Sequence, residues 1–249
     1  ESVLQTVTEC TSIALELIDM RLHSGEHARM GAVDVVPFIP IKGVTMEECI
    51  DLSNRYAKLV SDKHSLPVFL YANSARYPSR VRLPDIRKGE YEGLQKKIQS
   101  PDWKPDFGPV KFQPTMGATA TGARNFLIAY NVNLNTADKS KANTIASKIR
   151  TSGIVVKDDN GTTVRDKIGI VQRIPGIFEK LQAAGWMYNE EMAQVSMNLL
   201  DYSVTGLHDV TEAIKLEASK LGLEAVAGEL VGLVPVSYTH LTLPTTRCG

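Results

Sequence analysis

Neither sign of charge prevails in this chain: 28 Lys and Arg stand against 28 Asp and Glu over 249 residues. The basic excess that accompanies nonspecific nucleic-acid binding is therefore missing. No apolar run approaches the roughly 18 residues of a membrane span. Cysteine is scarce, with Cys10, Cys49 and Cys248 at no metal-ligand spacing and in an odd number that makes a poor disulfide framework. This usage predicts a reducing compartment, with no nucleic-acid or membrane partner. No signal peptide is visible in the first 22 residues, which carry Glu1, Glu9, Glu16 and Asp19 in the wrong places for one. The chain opens on Glu1 and enters a helical pattern at once, so its start is expected further upstream. G-x-S-x-G, Walker A, G-x-G-x-x-G and H-E-x-x-H are all missing, and with them the chemistries those motifs carry.

What is present is ordinary for a globular protein: 43% hydrophobic and 22% charged residues. The length suits one domain of two lobes or two small domains. Residues 3–22 place apolar side chains at spacings of three and four and predict a helix, broken by Gly25 and Gly31. "VDVVPFIPI" (33–41) and "LPVFLYA" (66–72) read as buried strands. Between them Thr45 and Glu48 form a capping box that opens a helix to about Lys63. Residues 83–99 read as two short helices around Gly89. Residues 100–118 hold four prolines and two glycines, so regular structure cannot persist there. Trp103, Phe107, Phe112 and Met116 make this a ligand-binding loop rather than a solvated linker.

The second half alternates more cleanly. Residues 124–135 predict a strand, 141–153 a helix capped by Gly153, and 157–169 an exposed excursion around an Asn-Gly turn. A strand near "AGWMYN", a half-buried strand over 192–202, an amphipathic helix over 206–222 and a strand over 224–236 complete a β-α-β-β-α-β order, the split βαβ arrangement. The tail "SYTHLTLPTTRCG" (237–249) fits neither period, and we expect it to be non-native.

Chemistry points first to "SGEHARMGAVDVVPFIP", residues 24–40, where His27 stands at a glycine-flanked corner just before a buried strand. From residue type alone it is either a surface-turn residue or an acid/base. His23 and His27 stand four apart, but Gly25 lies between them and no third ligand is near, so no metal is expected. His64 falls at a helix end, where the dipole favours a cation. His23 and His208 read as peripheral, and Met30, Phe38 and Trp186 as core.

The segments "LIDMRLHSGEHARMGAVDVVPFIPI", "GVTMEEC", "PVFLYA", "IRKGEYEGL", "DWKPDFGP", "GATATGARNFLIAYNVNLNT", "AQVSMNLLDY" and "ELVGLVP" closely resemble, in order over residues 1 to about 236, the glutamate formimidoyltransferase family. The resemblance implies an α+β fold of two ferredoxin-like α/β sandwich lobes with a substrate cleft between them. It divides the chain into an N-terminal subdomain at 1–117 and a C-terminal one at 118–236. It implies transfer of a formimidoyl group from N-formimidoyl-L-glutamate to N5 of tetrahydrofolate, a co-substrate, in histidine degradation, by a cytoplasmic homodimer without a metal. The family's catalytic histidine falls on His27. Its folate-contacting loop falls on Gly108, Pro109, Val110, Lys111, Phe112, Gln113, Pro114, Thr115, Met116 and Gly117. A histidine, titrating near neutrality, suits a reaction in which N5 sheds a proton and the departing glutamate nitrogen gains one. Arg29, Lys111 and Arg124 are our own candidates for holding the substrates' carboxylates, and Phe112 or Met116 for packing on the pterin.

The chain departs from the family pattern at Ala28, where proline is usual, and at Val33 and Val36. An opening strand, an N-x-S-x-G segment and a second strand are expected upstream of this chain. Transfer of a formyl group, or a noncatalytic folate-binding fragment, are the alternatives these residues leave open.

Overall fold

The computed structural model describes residues 1–25 and 27–235; Glu26, Val236 and the tail 237–249 lie outside the described residues. The chain divides into two compact units, Glu1–Asn125 and Phe126–Gly249.

In the first unit, helix α1 (Ser2–Leu17) lies against α2 (Met46–His64), and a buried hydrogen bond of 2.8 Å joins Thr11 to the Tyr56 hydroxyl. The capping box forms as expected: Glu48 N–H donates to Thr45 Oγ1 at 3.2 Å, and Thr45 N–H donates to Glu48 Oε2 at 2.8 Å. Strands β1 (Val35–Phe38), β2 (Val68–Leu70) and β3 (Thr119–Ala123) form a parallel sheet in the order β1-β3-β2. Pro37 is tolerated because β1 is an outer strand of this sheet. Helices α3 (Leu83–Arg87) and α4 (Glu90–Gln99) flank Gly89.

Two features differ from expectation. The first helix stops at Leu17, five residues before the predicted end, and Ile18 is already extended. The pull is tertiary: Met20, almost fully buried, donates its N–H to the Thr115 carbonyl at 2.9 Å, which a helical Met20 could not do. The other is β3. "TATGA" lacks the β-branched apolar residues that mark a strand, yet all five residues are buried and it is the central strand. Its threonines avoid a burial penalty by donating to carbonyls of the β1 segment, Thr119 to Val33 at 2.6 Å and Thr121 to Val36 at 2.8 Å. Pairing with β1 and β2 places β3 in the first unit.

The second unit is a four-stranded sheet, β4 (Ile128–Leu134), β7 (Leu181–Met187), β8 (Ala193–Leu199) and β9 (Ala225–Val231), in the order β7-β8-β4-β9 with antiparallel neighbours. Helices α5 (Lys139–Ile149) and α6 (Leu207–Ser219) pack on one face. Ile128, Val132, Ile145, Val195, Leu199 and Ile214 share this core. The excursion is anchored by the two-residue strands β5 (Ile154–Val155) and β6 (Arg173–Ile174). Gly153 does not cap α5, which ends at Ile149; it lies in the turn that follows. The strand order of the second unit is not repeated in the first, where three parallel strands are found among the described residues. No helix among the described residues is long and apolar enough to cross a membrane.

Candidate functional site

The corner carrying His27 and the loop 108–117 are joined through the backbone within the first unit. Gly31 and Gly117 form an antiparallel bridge. Ala32 N–H donates to the Met116 carbonyl at 2.9 Å, and Ala118 N–H to the Met30 carbonyl at 3.1 Å. With the bond from Met20 to Thr115, the chain on both sides of His27 is stitched to the same short loop. His27 itself is exposed on this corner.

Each end of the loop requires glycine. Gly108 has φ +87°, and a Cβ there would sit 2.4 Å from the Leu66 carbonyl oxygen. Gly117 has φ +70°, and its Cβ would sit 2.1 Å from the Met30 carbonyl oxygen. Between them, Gly117 N–H closes a turn on the Gln113 carbonyl at 2.7 Å. Val110 and Lys111 are exposed, while Phe112 and Met116 are half-buried and pack on the cores of this unit.

The approach to the loop is held by a buried ion pair. Arg80 donates from Nη1 to Asp106 Oδ2 at 2.8 Å and from Nη2 to the carbonyls of Asp102 and Lys104 at 2.9 and 2.8 Å. The side chains are 2% and 1% exposed. Leu70 N–H, on β2, donates to the same Asp106 oxygen at 2.8 Å. The Arg80 guanidinium also lies over the rings of Tyr77, Phe69 and Trp103.

On the other side of the corner, Asp34 accepts the Met30 N–H at 2.7 Å and pairs with Arg87. Arg29 donates to Glu92 at 2.7 and 3.1 Å and to Glu90 at 3.2 Å. Its hydrogen bond holds the Glu92 carboxyl below the usual range. A cavity of about 430 Å³ lies here, lined by Ser24, Gly25, Arg29, Gly89, Glu90 and Glu92.

The sequence-derived anchors thus fare differently. Arg29 belongs to the corner, but its guanidinium is committed to two carboxylates. Arg124 lies just past β3, at the end of that strand away from Gly117. There it donates to the Asn125 carbonyl at 2.9 Å. His64 is also corrected. It bonds Ser12 Oγ through Nε2 at 2.8 Å, and burial, then neighbouring Lys63, lower its pKa from the usual 6.5, opposing the cation expected at the helix end. The unfolded chain therefore takes up this proton first as pH falls through 6.5, so the contribution of neutral His64 to stability is present above that pH and lost below it. Comparing urea midpoints at about pH 7.5 and about pH 5.5, a His64→Gln variant should lose less stability than the parent over that interval.

Asp34, Arg87, Glu90, Tyr91 and Glu92 were not singled out from the sequence. The signal for the last four was their place in "IRKGEYEGL", one of the segments that resemble the family. Among the described residues, no group of three or more His, Cys, Asp or Glu is placed to hold a metal ion.

Residues 1–124 match the family model described as "Formiminotransferase domain, N-terminal subdomain", and residues 129–242 match "Formiminotransferase domain". The chain is 44% identical over 237 residues to the formimidoyltransferase-cyclodeaminase of Dictyostelium discoideum, covering 95% of this chain and 41% of that protein. It is 38% identical over 236 residues to the glutamate formimidoyltransferase of Streptococcus pyogenes serotype M1, covering 94% of this chain and 72% of that protein. With the protein of the same name from Thermoplasma acidophilum it shares 41% identity over 224 residues, 89% of this chain and 67% of that one.

Proposed function

Because the chain belongs to the formiminotransferase domain family, and spans about 41% of the length of relatives such as the Dictyostelium protein, we propose an activity for it from its own residues. It transfers the formimidoyl group of N-formimidoyl-L-glutamate to N5 of tetrahydrofolate, releasing L-glutamate. The observation that carries this reading is the stitching of the His27 corner to the 108–117 loop by main-chain hydrogen bonds on either side of the histidine. That arrangement suits a reaction in which a flat co-substrate rests on a loop beside an acid/base.

N5 attacks the formimidoyl carbon, and His27 accepts the proton that N5 sheds as the new bond forms. The tetrahedral intermediate then collapses, the bond from carbon to the glutamate nitrogen breaks, and His27 returns the proton to that nitrogen. Lys111, exposed on the loop, suits a substrate carboxylate better than Arg29, whose charge is already paired. Phe112 and Met116, half-buried at the loop, offer apolar surface to the pterin. In this reading the second unit, with its β7-β8-β4-β9 order, is a ferredoxin-like sandwich. The enzyme works in the cytoplasm as a homodimer.

The test is an assay of the chain with tetrahydrofolate and either N-formimidoyl- or N-formyl-L-glutamate, read by product absorbance. Product from the formimidoyl donor, with little from the formyl donor, is expected. A folded chain yielding none from the formimidoyl donor overturns the reading.

A further inference from the structure

One residue outside both the corner and the loop touches each of them. Tyr91, in the first turn of α4, donates its backbone N–H to the Arg29 carbonyl at 2.8 Å, two residues from His27. Its hydroxyl donates to the Pro114 carbonyl at 2.6 Å, in the middle of the loop. Its ring packs on Phe112, with centroids 5.4 Å apart. Both polar ends of the residue are committed, one on each side.

The backbone before Tyr91 shows that this position is imposed. Gly89 has φ +91° and Glu90 has φ +53°. A glutamate in the left-handed region is unfavourable, and it persists where surrounding contacts over-determine it. Here Arg29 grips Glu90 and Glu92 on either side of Tyr91, so the turn is clamped to the corner by side chains as well as by the Tyr91 amide. Burial raises the Tyr91 pKa, which keeps its hydroxyl protonated as a donor.

We propose that Tyr91 is a positioning residue, which sets the 108–117 loop against the His27 corner so that bound tetrahydrofolate presents N5 to the imidazole. The inference rests on the activity proposed above for this site. It does not make Tyr91 an acid or base, because its hydroxyl proton is directed at a main-chain carbonyl.

Tyr91→Phe removes the bond to Pro114 and keeps the ring and the amide, so the fold is retained. KM for tetrahydrofolate should rise about 2- to 10-fold, the worth of one hydrogen bond. kcat should change less, and Tm little. Amide hydrogen exchange in the substrate-free chain should quicken over 113–117 and not in α2. Unchanged KM and unchanged exchange overturn the proposal, as does a fall in Tm with KM unmoved. Exchange is read without substrate. A parent chain that transfers nothing would therefore sink the proposed activity, while the exchange of the loop would still decide whether Tyr91 couples it to the corner.

Discussion

Replacing His27 with alanine should lower the formimidoyl transfer rate by about 10²–10⁴-fold, the usual worth of a general acid/base. Affinity for tetrahydrofolate should change little. The corner is held by main-chain bonds at Met20, Met30 and Ala32 and by the Asp34 carboxylate, none of which uses the imidazole. The exposed position of His27 means that its loss leaves no cavity, so Tm should stay near that of the parent. The measurement is kcat and KM from product absorbance, beside calorimetric binding of 5-formyltetrahydrofolate. Retained activity would take the proton transfer away from His27. Loss of binding together with activity would make it a binding residue instead.

Asp106→Ala should destabilise the first unit by about 3–5 kcal/mol, the cost of leaving a buried charge without its partner. Arg80 is nearly inaccessible and cannot reach water once its carboxylate is gone. The same change strips the Leu70 N–H of its acceptor in the sheet. The carbonyls of Asp102 and Lys104 still bind the guanidinium, but they bring no opposing charge. Asp106→Asn keeps an oxygen for Leu70 or Arg80 and should fall between parent and alanine variant. Urea unfolding followed by Trp103 fluorescence would read both, since Trp103 lies beside the Arg80 guanidinium. A midpoint unmoved by Asp106→Ala would show that the pair contributes nothing net. Because Asp106 is followed within two residues by Gly108, where the loop begins, partial loosening should raise KM for tetrahydrofolate before the unit unfolds.

How far such features were legible depends on the distance in sequence over which their cause acts. The capping box needed only Thr45 and Glu48, three residues apart, and formed as read. The four strands of the second unit were likewise visible, one of them through the alternation over 192–202, which is a local pattern. The two glycines bounding the loop came with the family resemblance, and the close backbone contacts that require them came with the structure. The resemblance to the family rested on long segments, and the family models covering both halves bear it out.

The rest depended on partners far along the chain. The first helix stops early because Met20 pairs with Thr115, 95 positions away. "TATGA" becomes a central strand because β1 and β2 close on it from both sides and supply carbonyls for its threonines. Arg29 looked available for a substrate until folding set Glu90 and Glu92 against it. The pairing of Arg80 with Asp106 exists only once the chain has folded back over a separation of 26 positions. Propensity, capping and side-chain period act between neighbours, so residue order sufficed for most helices and for the strands of the second unit, while the family resemblance pointed to His27 and the loop. Hydrogen bonds and ion pairs between distant segments depend on the folded path of the chain, so the joining of corner to loop, and the placing of Tyr91 between them, came only with the tertiary structure.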